Sequence, residues 1–172
     1  MDIKKTLLVE HSRFQTERVA KYIGSDTIRF KELMELVFSK DVIVTQRAAW
    51  VMCLCFEKHS SLVHPYLKKM IYTLEKEVHD SVKRNMLKIL QTVDIPISLL
   101  GKTADSCFKL LAKSSEAIAI KVFAMTVLLA IVRKETTLKN ELRISIEDQL
   151  PYASAGFISR GKKVLKSLEK IN

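Results

Sequence analysis

The sequence predicts an all-α protein built from a two-helix unit that recurs about every 37 residues, and three observations carry that expectation. First, a step of 37 aligns Phe30 with Leu67 and Ala104, Leu33 with Met70 and Cys107, Met34 with Ile71 and Phe108, and Val37 with Leu74 and Leu111. Within each repeat these positions fall at i, i+3, i+4 and i+7, one apolar helix face. Second, the same step carries Ala49 to Met86 and Phe123, Cys53 to Leu90 and Val127, and Phe56 to Val93 and Ala130, which makes a second helix in each repeat. Third, glycine and proline are sparse and, Gly156 and Gly161 apart, stand where helices should start or stop, at Gly24, Pro65, Pro96, Gly101 and Pro151. An apolar share of 48% suffices for one continuous core, so residues 1–172 are expected to form a single domain and a disordered chain is excluded.

The elements follow in order. A first helix over residues 3–23 presents Leu7, Phe14, Val19 and Tyr22 among polar residues and ends at Gly24, with Ser25 and Asp26 as candidate N-caps of the next. Repeat one is expected over 27–39 and 45–58, repeat two over 61–77 and 80–93, repeat three over 97–113 and 115–133, and repeat four over 137–150 and 155–170. Short linkers make consecutive helices antiparallel. The last helix matches repeat two at a step of 75, through Val82 to Phe157, Met86 to Gly161 and Ile89 to Val164. A terminal repeat tolerates such a slip because one of its sides faces water.

The apolar run near the N-terminus is three residues, where a secretory signal needs roughly seven. The longest mostly apolar stretch, 117–132, is interrupted by Lys121 and Thr126 and is shorter than the roughly 20 residues that span a bilayer. A cytoplasmic protein is expected, with no membrane contact. Cys53 and Cys55, two apart on one helix, point about 200° from each other, so neither a disulfide nor a metal clip is favoured.

A two-helix repeat of this length, with a basic residue early in the second helix at Arg47, Arg84 and Lys121, resembles the HEAT-like or armadillo-type α-superhelix. In Asp41-Val-Ile-Val-Thr-Gln-Arg47 the acid and the arginine stand six apart, as in the HEAT pattern, where such pairs ladder neighbouring repeats. The resemblance covers roughly residues 26–170 and implies a right-handed α-α superhelix of about four HEAT-like two-helix repeats with an N-terminal capping helix. It also implies that the second helices line a concave, ligand-facing side, where Arg47, Trp50, Arg84, Leu87, Lys88, Lys121, Lys162, Lys163 and Lys166 would lie. One HEAT-like family, the bacterial alkylpurine DNA glycosylases, carries Arg and Trp on concave helices with an essential aspartate. This sequence offers Asp80, Asp94 and Asp105 but a single tryptophan.

Several groups are candidates for function, each with a plainer alternative. The net charge is +10, and the last helix contributes Arg160, Lys162, Lys163, Lys166 and Lys170, which suit a solvated face or a polyanion site. Trp50 suits a stacking platform for a base or partner side chain, or a half-buried position between repeats. His11, His59, His64 and His79 do not share a helix face as a metal pair would, and are expected to be exposed or capping. Cys53, Cys55 and Cys107 fall at core positions, and no Gly-rich phosphate loop, G-x-S-x-G or C-x-x-C occurs. These features lean away from an enzyme, with no metal or cofactor expected.

The expected function is a non-catalytic scaffold that binds a protein or peptide through its concave face, at Arg47, Trp50, Leu54, Arg84, Leu87, Lys88 and Lys121. Trp50, Leu54, Leu87, Met125 and Leu128 would form the apolar islands of that face, which a second copy of the chain could also cover. The alternative is DNA or RNA binding along the basic residues, with or without excision of alkylated bases.

Overall fold

The computed structural model describes residues 1–171. Its α-helices are α1 (Ile3–Val9), α2 (Arg13–Ile23), α3 (Thr27–Val37), α4 (Val42–Lys58), α5 (Leu67–Thr73), α6 (Asp80–Leu90), α7 (Ile97–Ala112), α8 (Ile118–Val132), α9 (Lys139–Glu147) and α10 (Ala155–Leu168). Short 3-10 helices, Ser60–Tyr66, Thr136–Leu138 and Leu150–Tyr152, precede α5 and flank α9. Short polar side chains start five helices by accepting first-turn N–H bonds. Asp2, Ser12, Asp26, Asp41 and Ser154 cap α1, α2, α3, α4 and α10 in this way. Gly24 closes α2 with a φ of +52°, a backbone geometry that L side chains rarely adopt.

The expected single helix over 3–23 is broken. Glu10 is extended, and the Ser12 side chain accepts the Gln15 N–H to open a new helix, so α1 and α2 are separate. The Gln15 carboxamide folds back onto the Thr6 carbonyl at 2.8 Å and ties them together. α2 packs on α4, and α1 packs on α2 and α4 and more lightly on α3. Gln15, Thr16, Val19 and Ala20 of α2 are enclosed in the order of Val44, Thr45, Ala48 and Ala49 of α4. The N-terminal cap is therefore two helices and not one.

Two further expectations shift. Over 61–77, Pro65 lies inside a 3-10 helix, since proline offers no N–H for an α-helical ladder, and the α-helix α5 runs only from Leu67 to Thr73. Gly101, expected at a boundary, lies within α7.

The first helices keep the step of 37. Phe30, Leu67 and Ala104, then Leu33, Met70 and Cys107, then Val37, Leu74 and Leu111 are all buried. The second helices do not keep it. Among their buried residues are Val44, Thr45, Ala48, Ala49, Val51 and Met52 in α4; Val82, Lys83, Met86, Leu87, Ile89 and Leu90 in α6; and Ile120, Lys121, Ala124, Met125, Val127 and Leu128 in α8. Each set follows the one before by 38. The gap between the two helices of a pair accordingly widens, from seven residues between Val37 and Val44 to eight between Leu74 and Val82 and nine between Leu111 and Ile120. On this register the base that matches Lys121 is Lys83, and Arg84 lies on the exposed side.

The chain forms two compact units, residues 1–89 and 90–172. In the first, α4 is the centre, packed by α1, α2, α3 and the 3-10 helix Ser60–Tyr66. In the second, α8 has that place, packed by α7, α9 and α10. α10 approaches closely at Gly161, where a Cβ would lie 3.0 Å from Ile146 Cγ2 and 3.3 Å from Leu150 Cδ2.

Candidate functional site

Side-chain bonds link α4 to α6 in the first unit. The Cys53 thiol donates to the Asn85 carbonyl at 3.3 Å, and Lys88 meets Glu57 at 2.8 Å. On the outer side of this seam Gln46 and Trp50, one turn apart on α4, face Ser81, Arg84 and Asn85 of α6 across a small depression of about 200 Å³. His11, in the link from α1 to α2, closes its far edge and sets its ring against Trp50 edge-on, with centroids 5.5 Å apart and planes at 86°. Trp50 is half-buried and Arg84 exposed, so an indole face and a guanidinium are both within reach of a partner.

The residues expected on this face have different fates. Trp50 and Arg84 meet in the depression, and Lys88 lies one turn beyond Arg84 with its ammonium held charged by the Glu57 hydrogen bond, which raises its pKa. Leu54 is half-buried one turn after Trp50. Arg47 turns inward and donates to the Leu7 carbonyl at 2.6 Å, satisfying a carbonyl near the end of α1. Asp41 caps α4, so the acid and the arginine of the expected ladder each serve another partner.

Leu87 is fully enclosed and is corrected to a core residue, as are Met125 and Leu128, because the step of 38 turns them inward. Lys121, in the second unit, is 6% exposed and donates to Gln149 Oε1 at 2.9 Å, while the Gln149 amide group donates to the Leu111 and Ser145 carbonyls. It is a buried tie and no partner-facing base. Burial lowers its pKa from the usual lysine value, against the pull of the Glu116 carboxylate.

Sequence reasoning missed His11, Gln46 and Asn85. A step of 38 was the signal for two of them, since it places Gln46 with Arg84, Arg47 with Asn85 and Trp50 with Lys88. His11 lies outside any helix, where periodicity says nothing.

The basic groove of the nucleic-acid alternative loses several members. Arg47 and Lys121 are committed as above, and Arg160 donates to Thr126 Oγ1 at 3.1 Å. Lys162, Lys163, Lys166 and Lys170 stay exposed in the second unit. The aspartates are engaged too, Asp94 with Lys134 and Asp105 with Lys102 and Lys109, while Asp80 sits in the first turn of α6. Among the described residues no three His, Cys, Asp or Glu side chains gather as a metal site would need, and no helix is long and apolar enough to cross a membrane.

Burial pushes the thiols of Cys53, Cys55 and Cys107 up to about 12. A thiol-specific disulfide reagent at pH 8 should therefore leave the native chain unmodified and titrate all three cysteines in denaturant. The same thiols ionise near 9.0 when unfolded, so their contribution is complete below that pH and stability should fall as the pH climbs from 9.0 toward 12. Urea midpoints at pH 8 and pH 10.5 would check it.

Helical pairs in tandem, joined by bonds such as Arg47 to Leu7 and Lys121 to Gln149, define a helical-repeat protein. The chain matches the family model of the HEAT repeat domain over residues 3–168 and belongs to that family. No curated protein and no solved structure gives a significant match. The family is one of helical-repeat scaffolds, commonly in contact with other proteins.

Proposed function

We propose that this protein is a non-catalytic interaction module that binds a peptide segment of a protein partner on the outer side of α4 and α6, around Trp50. The observation that carries the reading is the depression itself, where one indole, one guanidinium and the carboxamides of Gln46 and Asn85 converge. Tryptophan and arginine are the residue types that most often dominate binding energy, and carboxamides both donate to and accept from a peptide backbone. Lys88 and Leu54 extend the surface along the same seam.

Trp50 is the only tryptophan, so tryptophan emission excited at wavelengths where tyrosine does not absorb reports on this face alone. Random peptides displayed on phage would be selected on the purified protein, and the enriched sequences synthesised and titrated. Binding should shift Trp50 emission, and Arg84→Glu, or Trp50→Ala followed by the anisotropy of a fluorescein-labelled peptide, should weaken binding by about tenfold or more, as for the loss of a dominant contact. Peptides that bind both variants as well as the parent would show that the face lies elsewhere. Failure to enrich any sequence over a blank surface would count against a peptide site.

A further inference from the structure

A second and larger cleft opens in the first unit, away from Trp50, where the loops 38–41 and 74–79 stand beside the starts of α4 and α6. Its volume is about 670 Å³, within the roughly 300–1,000 Å³ of ligand sites. The floor is apolar. Val37 and Val82 are enclosed, and Thr45 and Thr73 beside them have their hydroxyls satisfied by the Val42 and Lys69 carbonyls. Phe38, Val42 and Val78 form the walls, and Val42 is 57% exposed.

The rim has the opposite character. Lys40, Lys69 and Lys76 line it against the single carboxylate of Glu77. Lys69 rests its ammonium over the Phe38 ring at 4.2 Å, a cation–π contact that leaves its remaining donors outward. Lys40 and Lys76 meet no carboxylate within ion-pair distance among the described residues. Unpaired ammonium groups around an apolar floor select a ligand with negative charge on either side of an apolar group.

From this charge and shape we infer that the cleft takes an acidic segment of a protein partner, with one apolar side chain on the Val37, Thr45 and Val82 floor and flanking carboxylates on Lys40 and Lys76. The site does not depend on the Trp50 face. A protein ligand of this kind would read the loops between the helices of two neighbouring pairs, where the second-helix face reads the helices themselves.

The test uses a fluorescein-labelled peptide, Glu-Glu-Leu-Glu-Glu, and its partner with serine for leucine, in anisotropy titrations at about 50 mM salt, where exposed charges still act over about 14 Å. The leucine peptide is expected to bind, the serine peptide about tenfold more weakly, and the double variant Lys40→Glu, Lys76→Glu to lose binding at least tenfold. Both lysines are exposed, and far-UV circular dichroism would verify that the double variant stays helical. Trp50→Ala should bind the peptide as the parent does, which separates this site from the one proposed above. No binding of the leucine peptide, equal affinity for the serine peptide, or a loss on Trp50→Ala in place of the lysine changes would each overturn the assignment. Equal displacement by a short DNA duplex would mean a general polyanion surface and overturn it too.

Discussion

Leu87→Ala is expected to cost about 2–5 kcal/mol of stability, while Arg84→Ala, three residues earlier on the same helix, should stay within about 0.5 kcal/mol. The difference follows from the register of α6. With second helices aligned at 38, Leu87 stands with Ala49 and Met125 in the core, and removing its isobutyl group takes away buried apolar surface and leaves a cavity. Arg84 stands with Gln46 on the outer side, and its guanidinium is in water. Urea unfolding followed by circular dichroism on both variants would measure the pair. Equal losses, or a larger loss for Arg84→Ala, would mean that a step of 37 describes α6 after all and that Arg84 is one of the ties between helices.

The second large effect is expected at Lys121. Lys121→Ala should destabilise by about 3 kcal/mol, because it leaves Gln149 Oε1 without its donor and removes the nearby cation from the buried Glu116 carboxylate. Lys162→Ala, on the exposed side of α10, should be close to neutral. Lys121→Met is the informative third variant. It keeps the apolar stem and loses only the ammonium, so whatever part of the loss remains in it measures the polar tie and not the packing. A neutral Lys121→Ala would return Lys121 to the list of surface bases, where its residue type alone had placed it.

These two sites show what the sequence displays and what it conceals. The first helices are legible because each carries a clean apolar stripe between charged residues, and Phe30, Leu33, Met34 and Val37 mark it without ambiguity. In the second helices the stripe is blurred. α8 is apolar on almost every side, so Ala124 and Phe123 compete equally for the inward position, and a lysine at 83 or 121 resembles a surface residue until its partner is seen. The break between α1 and α2 was written in Ser12-Arg13-Phe14-Gln15, a serine three residues before a glutamine, but the apolar spacing continued through it. Of the candidate site, Trp50 and Arg84 are visible by type. Their meeting with His11 depends on a three-residue link whose path follows from the Ser12 cap and the Gln15 bond to Thr6, both tertiary consequences of a local signal.

The same drift in spacing has a practical side. From Val37–Val44 to Leu74–Val82 to Leu111–Ile120 the spacing within a pair grows by one residue each time, while six matching enclosed positions of each second helix keep their order. Doubling a loop of this length costs only about 0.6 kcal/mol in closure entropy, so the exposed turn at Ser114, between α7 and α8, suits a grafted epitope. The link between a second helix and the next pair has been spared such growth: from Met52 to Leu67 it spans fifteen residues and from Leu90 to Ala104 fourteen, and foreign sequence there would displace the neighbouring pair.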